Sequence, residues 1–134
     1  MLFLLATPAA AWEFTPGPIC VLSHSEGDVE VTLTHDPVAP EFSITLSRGA
    51  PWPAGDVFSI AFARGPTIST NRHELGDGGR SLTVRDRGFG NVILGLLAGG
   101  TATAFIGETA VAFSLDGAAE PTADYAACAP VASA

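Results

Sequence analysis

A chain of 134 residues suits one domain and is too short for two ordinary ones. Hydrophobic residues make up 47% and charged residues only 15%, a balance that excludes a disordered chain, a collagen, a coiled coil and a polytopic membrane protein. Fourteen acidic residues against six basic ones leave a net charge of −8, so a nucleic acid would meet net repulsion and is not an expected partner.

The chain opens with MLFLLATPAAA, an apolar run closing in small residues. Ala9 and Ala11 occupy the −3 and −1 positions of an A-x-A cleavage site, which makes residues 1–11 a cleaved signal peptide, shortened at its start, and Trp12 the first mature residue. The alternative is an N-terminal strand. A membrane-spanning helix needs about 20 apolar residues, and Glu13, Pro16 and Pro18 end this run sooner, so no stable membrane insertion is expected. The mature chain, residues 12–134, is read as a single β-rich domain, monomeric and periplasmic or secreted. Cys20 and Cys128 lie near its two ends. In an oxidising compartment they are expected to pair, and closing a loop of roughly 100 residues is worth about 4.7 kcal/mol by chain entropy; two buried free thiols are the other possibility. Gly17-Pro18-Ile19 lacks the small residue that lipid attachment at Cys20 would require.

Beyond Ile19 to Ser23, a first strand candidate, period-two alternation dominates. Val29, Val31 and Leu33 alternate with Glu30, Thr32 and Thr34, and Phe42, Ile44 and Leu46 with Ser43, Thr45 and Ser47. Phe58, Ile60 and Phe62, then Leu82 and Val84, then Val111, Phe113 and Leu115 repeat the pattern. Each run predicts a strand with one buried face. Thr67 to Thr70 and Thr101 to Ile106 are further strands. Asp36-Pro37, Ala39-Pro40, the stretch from Gly49 to Gly55 and above all Gly76-Asp77-Gly78-Gly79 read as turns. Two segments carry helical spacing. In GNVILGLLAG, Val92, Ile93, Leu96 and Leu97 share a face, Asn91 can cap the start and Gly99-Gly100 the end. Glu120 to Ala129 predicts a C-terminal helix that returns Cys128 to the body. The fold class is therefore all-β and mainly antiparallel, a sandwich or small barrel with two short helices.

Candidate sites centre on the arginines, all of which fall between Arg48 and Arg87, while no lysine occurs. Asn71-Arg72-His73-Glu74 meets Arg85-Asp86-Arg87 across the glycine-rich turn if the flanking strands pair. Arg72, His73, Asp86 and Arg87 then form either an anion-binding surface, since guanidinium forks suit planar anions, or an ion-pair network that fixes the hairpin. Trp52, between Pro51 and Pro53, is either a pre-ordered docking aromatic or a cover for the core. Phe89, between Gly88 and Gly90, reads as a core plug in a tight turn. His24, His35 and His73 match no standard metal-ligand spacing, and His35-Asp36 beside Pro37 reads as a solvated turn; His24 with His35 is the better-placed pair if their strands adjoin. Ser69 or Thr70 with His73 and Asp86 is a conceivable hydrolytic set without a nucleophile-elbow signature. No cofactor or metal is implied.

Asn91 to Ala127 holds a short apolar helix, Gly-Gly, the strands TATAFI and AVAFSLDG, then a terminal helix. In this order it resembles the C-terminal part of the invasion-associated locus B family of small exported bacterial proteins. Through GPICVLSH, ISTNRHEL and LTVRDRGFGNVILGL the whole chain more closely resembles a group of small exported alphaproteobacterial proteins of unknown function, which often carry an excinuclease label. A nucleotide-driven excinuclease needs a P-loop, and a chain without lysine has none. The resemblance implies an exported protein. The expected function is a non-catalytic binding or envelope-associated protein whose partner is a protein or a small anionic ligand. The alternative is a small hydrolase or metal-dependent enzyme using His73 with Asp86, or His24 with His35.

Overall fold

In the computed structural model, which describes residues 11–129, the alternating runs become strands. Six of them form one antiparallel sheet: β1 (Glu13–Thr15), β2 (Cys20–Glu26), β3 (Val29–Asp36), β4 (Glu41–Ser47), β8 (Ser81–Asp86) and β7 (Glu74–Gly76), in the spatial order β1-β2-β3-β4-β8-β7. Four form a second: β10 (Thr109–Ser114), β9 (Thr101–Ile106), β5 (Phe58–Phe62) and β6 (Thr67–Thr70), in the order β10-β9-β5-β6. Neither sheet closes on itself, so of the two predicted architectures the sandwich is the one observed. The signal-peptide segment, save Ala11, lies outside the described residues.

The register explains the composition. Leu22, Leu33, Ile44, Leu46 and Leu82 stand on one face of the large sheet, all fully buried, and meet Phe58, Ile60, Ala104 and Phe113 of the small one. Each such aliphatic side chain contributes about 1.5–3 kcal/mol through its removal from water. On the opposite face, hydroxyls pair across strands: Thr45 with Thr83 at 2.9 Å, Ser47 with Ser81 at 2.9 Å and, in the small sheet, Ser59 with Ser69 at 2.7 Å. These pairs let an outward face remain polar with few charges.

Two short strands go beyond the sequence expectation. β1 and β7 have three residues each, too few to show a period. His35 is also not in a solvated turn: it is 6% exposed, points inward near the end of β3 and stacks on Phe42 at 4.0 Å. Its parity with Val31 and Leu33 sets that direction.

The helices are α1 (Gly90–Ala98) and α2 (Ala119–Ala126). Asn91 does not cap α1; the N-cap is Phe89, buried as predicted, and no side chain caps the helix. The buried face of α1 is Val92, Gly95 and Leu96, while Leu97 is 40% exposed. Gly95 causes this rotation. A Cβ there would overlap the Phe62 ring, so α1 rests directly on the end of β5, a close approach that outweighs the roughly 1 kcal/mol helix penalty of glycine. Gly99 and Gly100, at φ +78° and +88°, turn the chain into β9.

Cys20 and Cys128 are joined, with Cα atoms 6.3 Å apart across a sequence separation of 108. The bond ties β2 to the chain two residues past α2. Tyr125, fully buried in α2, donates its hydroxyl to the Thr34 carbonyl at 2.8 Å, and His35 Nδ1 donates to the Tyr125 carbonyl at 3.0 Å. Burial pushes the Tyr125 phenol above its ordinary pKa, so it stays a donor. A second clasp joins the sheets: Trp12 Nε1 donates to the Ser114 carbonyl at 3.0 Å, and the Ser114 N–H donates to Glu26 Oε1 at 3.0 Å. His24 Nε2 donates to the same oxygen at 3.1 Å while its ring stacks on Trp12 at 4.6 Å. The Ser114 amide first, and His24 second, hold the Glu26 carboxyl below its ordinary value. No helix among the described residues is long and apolar enough to cross a membrane.

Candidate functional site

β6 is an edge of the small sheet, and the chain leaves it through Asn71, Arg72 and His73 to join the large sheet as β7. β7 pairs with β8 only as far as Glu74 opposite Thr83. Beyond that pair the two segments separate, and a cleft of about 520 Å³ opens between the layers. Its floor is the core itself, Ile44 of β4 and Ile60 of β5, with Phe58, Ile68 and Val84 on the walls. Residues 88–92, the turn into α1, close one end. Arg72, Arg85 and Asp86 stand at the mouth. The volume lies within the range of small-molecule sites.

Arg72, from the segment between β6 and β7, and Arg85, from β8, line the same cleft. The sequence suggests opposite charges near one another here; the cleft lining holds two like charges and one carboxylate. Among the described residues the one ion pair is His24 with Glu26, and no arginine is paired with a carboxylate. The expected ion-pair network is therefore not formed. Asp86 instead accepts the Arg87 backbone N–H at 2.7 Å. Arg72, Arg85 and Asp86 also line a shallower recess of about 360 Å³ on the outer side, which adds Arg87 and Glu41. The cleft mouth thus carries two guanidinium groups against one carboxylate. The uncapped start of α1 adds the positive end of its dipole to the same wall.

The other predicted residues fare differently. His73 does not line the cleft; its ring lies 6.1 Å from Phe58, and its buried Nδ1 has no partner. No hydrogen bond joins it to Asp86, Ser69 or Thr70 among the described residues. The Ser69 hydroxyl is engaged with Ser59, and Thr70 Oγ1 accepts the Arg72 N–H at 3.0 Å. The set therefore has no base poised on a nucleophile. His24 and His35 are buried on neighbouring strands but opposite Val31 and Cys20 respectively, four positions apart along the ladder. That is about 13 Å at strand spacing, too far to share one ion. No group of three metal-ligating side chains occurs among the described residues.

Trp52 is not an exposed docking aromatic. It is 3% exposed, donates Nε1–H to the Leu46 carbonyl at 3.1 Å and carries the Arg48 guanidinium 5.5 Å above its ring. Its own N–H is held by the Gly79 carbonyl at 2.8 Å, so the proline-rich loop is sewn onto the glycine-rich turn and its aromatic is pulled inside.

Arg85 is the cleft residue absent from the sequence candidates, because no local signal separates it from the other arginines. The apolar walls carry no local signal at all, since they come from strands far apart in the chain. The chain matches no protein-family model, no curated protein and no solved structure. The class defined by the fold is an open antiparallel β-sandwich with a cleft between its layers, and the functional reading rests on that cleft.

Proposed function

We propose that this is an exported, non-catalytic binding protein, akin to the small exported proteins it resembles, and that it takes a small anionic ligand at Arg72 and Arg85. The observation that carries the reading is a pair of like-charged guanidinium groups without carboxylate partners at the mouth of a 520 Å³ cleft. Two guanidinium groups on one cleft lining disfavour each other, and an oxyanion between them would replace that repulsion with charge-assisted hydrogen bonds. A net charge of −8 over the rest of the protein favours a small ligand over a large polyanion. Export is supported by the Cys20–Cys128 bond, which is compatible with an oxidising compartment.

The test is titration with the fluorescent sulfonate 1-anilinonaphthalene-8-sulfonate. Wild type is expected to bind it with a salt-sensitive affinity. Arg72→Ala and Arg85→Ala are each expected to weaken binding about tenfold, the loss of one hydrogen bond to a charged group, with circular dichroism unchanged. Equal affinity in wild type and the double variant would overturn the reading.

A further inference from the structure

The interior of the cleft differs from its mouth, and that difference specifies the rest of the ligand. Ile44 and Ile60 face each other from opposite sheets at its floor, 1% and 0% exposed, with the rings of Phe58 and Phe89 beside them. The hydroxyls nearest this space, Ser69 and Thr70, are already bonded to Ser59 and to the Arg72 amide, which leaves the Asn91 amide, at the turn into α1, as the uncharged polar side chain on the lining. A sugar or a nucleobase pushed inside would bury several polar groups with few free partners, and each group left unmet weakens binding. A hydrocarbon loses nothing by entering and leaves water. All the charge sits at the rim.

We propose that the ligand is a single linear alkyl chain ending in an oxyanion, with its tail between the two sheets and its head at Arg72 and Arg85. This rests on the anion reading above and adds the tail to it. Asp86, the one carboxylate at the mouth, sets the limit on head charge: it repels a strongly charged head more than a monoanion. A carboxylate head is therefore expected to bind better than a phosphate monoester of equal chain length.

Isothermal titration calorimetry of the whole protein with hexanoate, octanoate and decanoate below their micelle concentrations tests the tail. Acetate, inorganic phosphate, octyl phosphate and 1-decanol serve as comparisons. Affinity is expected to rise about three- to fourfold per added methylene, the equivalent of roughly 0.8 kcal/mol for each buried CH₂. Acetate and inorganic phosphate are expected to bind far more weakly than decanoate. If either binds as tightly as decanoate, or if affinity is flat across the series, the tail is wrong while the anion reading survives. If 1-decanol equals decanoate, the anion reading fails and the head assignment with it. If octyl phosphate exceeds octanoate, the carboxylate preference is overturned. Absence of binding by every probe overturns both readings.

Discussion

Replacing Cys20 and Cys128 together by serine is expected to lower stability by about 4 kcal/mol and the melting temperature by about 15 °C. The bond closes a span of 108 positions, and most of its effect lies in the unfolded chain, which gains the freedom that the cross-link removes. Folding stability of an ordinary domain is about 5–15 kcal/mol, so the loss is a large fraction of the whole. The native consequence is local. α2 has eight residues, too few to persist unaided. Without the tether it depends on the Tyr125 and His35 hydrogen bonds to β3. Thermal unfolding followed by circular dichroism, with and without a reducing agent, checks this. Reduced wild type and the double serine variant should coincide, and a shift of less than about 3 °C in both would mean that the bond does not hold the extremities together.

Trp52→Ala is expected to cost about 3–5 kcal/mol, the range for removing a large buried aromatic. The substitution empties the space beside Phe58, whose ring meets Trp52 at 6.0 Å, removes the donor from the Leu46 carbonyl and frees Arg48. Trp52→Phe keeps most of the apolar volume and loses the indole N–H, so its cost should be nearer 1–2 kcal/mol. Denaturant unfolding measures both. In the folded Trp52→Phe variant, decanoate affinity should stay within about twofold of wild type, because Trp52 does not line the cleft. A docking residue would give the opposite pair of results, stability kept and binding lost.

Particular elements show how far the sequence can be read. The long strands are legible because an inward apolar side chain every second residue leaves mostly hydroxyl-bearing neighbours for the outward face, as in β3 and β4. The three-residue strands are not, since Glu74-Leu75-Gly76 has no period to show. α1 is legible, but its orientation is not: hydropathy counts Leu97 inward, whereas the approach of Phe62 to Gly95 decides the face. Prolines around Trp52 mark a loop, and a loop says little about where its side chains end. The arginine cluster is visible as a charge pattern, but its meaning depends on how the chain crosses from β6 to β7. The β7–β8 ladder ends at Glu74, short of Arg72, so no strand pattern declares which neighbours that side chain meets. The cleft has no signature in the sequence, because nothing local declares that Ile44 and Ile60 will face each other across a gap.

The most direct measurement is an amide correlation spectrum of ¹⁵N-labelled protein titrated with decanoate. The expected result is concerted shifts of Arg72, Arg85 and residues 88–92, together with Ile44 and Ile60 at the floor, while β1 and β10 stay still. Shifts confined to the exposed leucines of α1, or spread over the outer faces of the sheets with the cleft silent, would contradict a ligand seated between the layers.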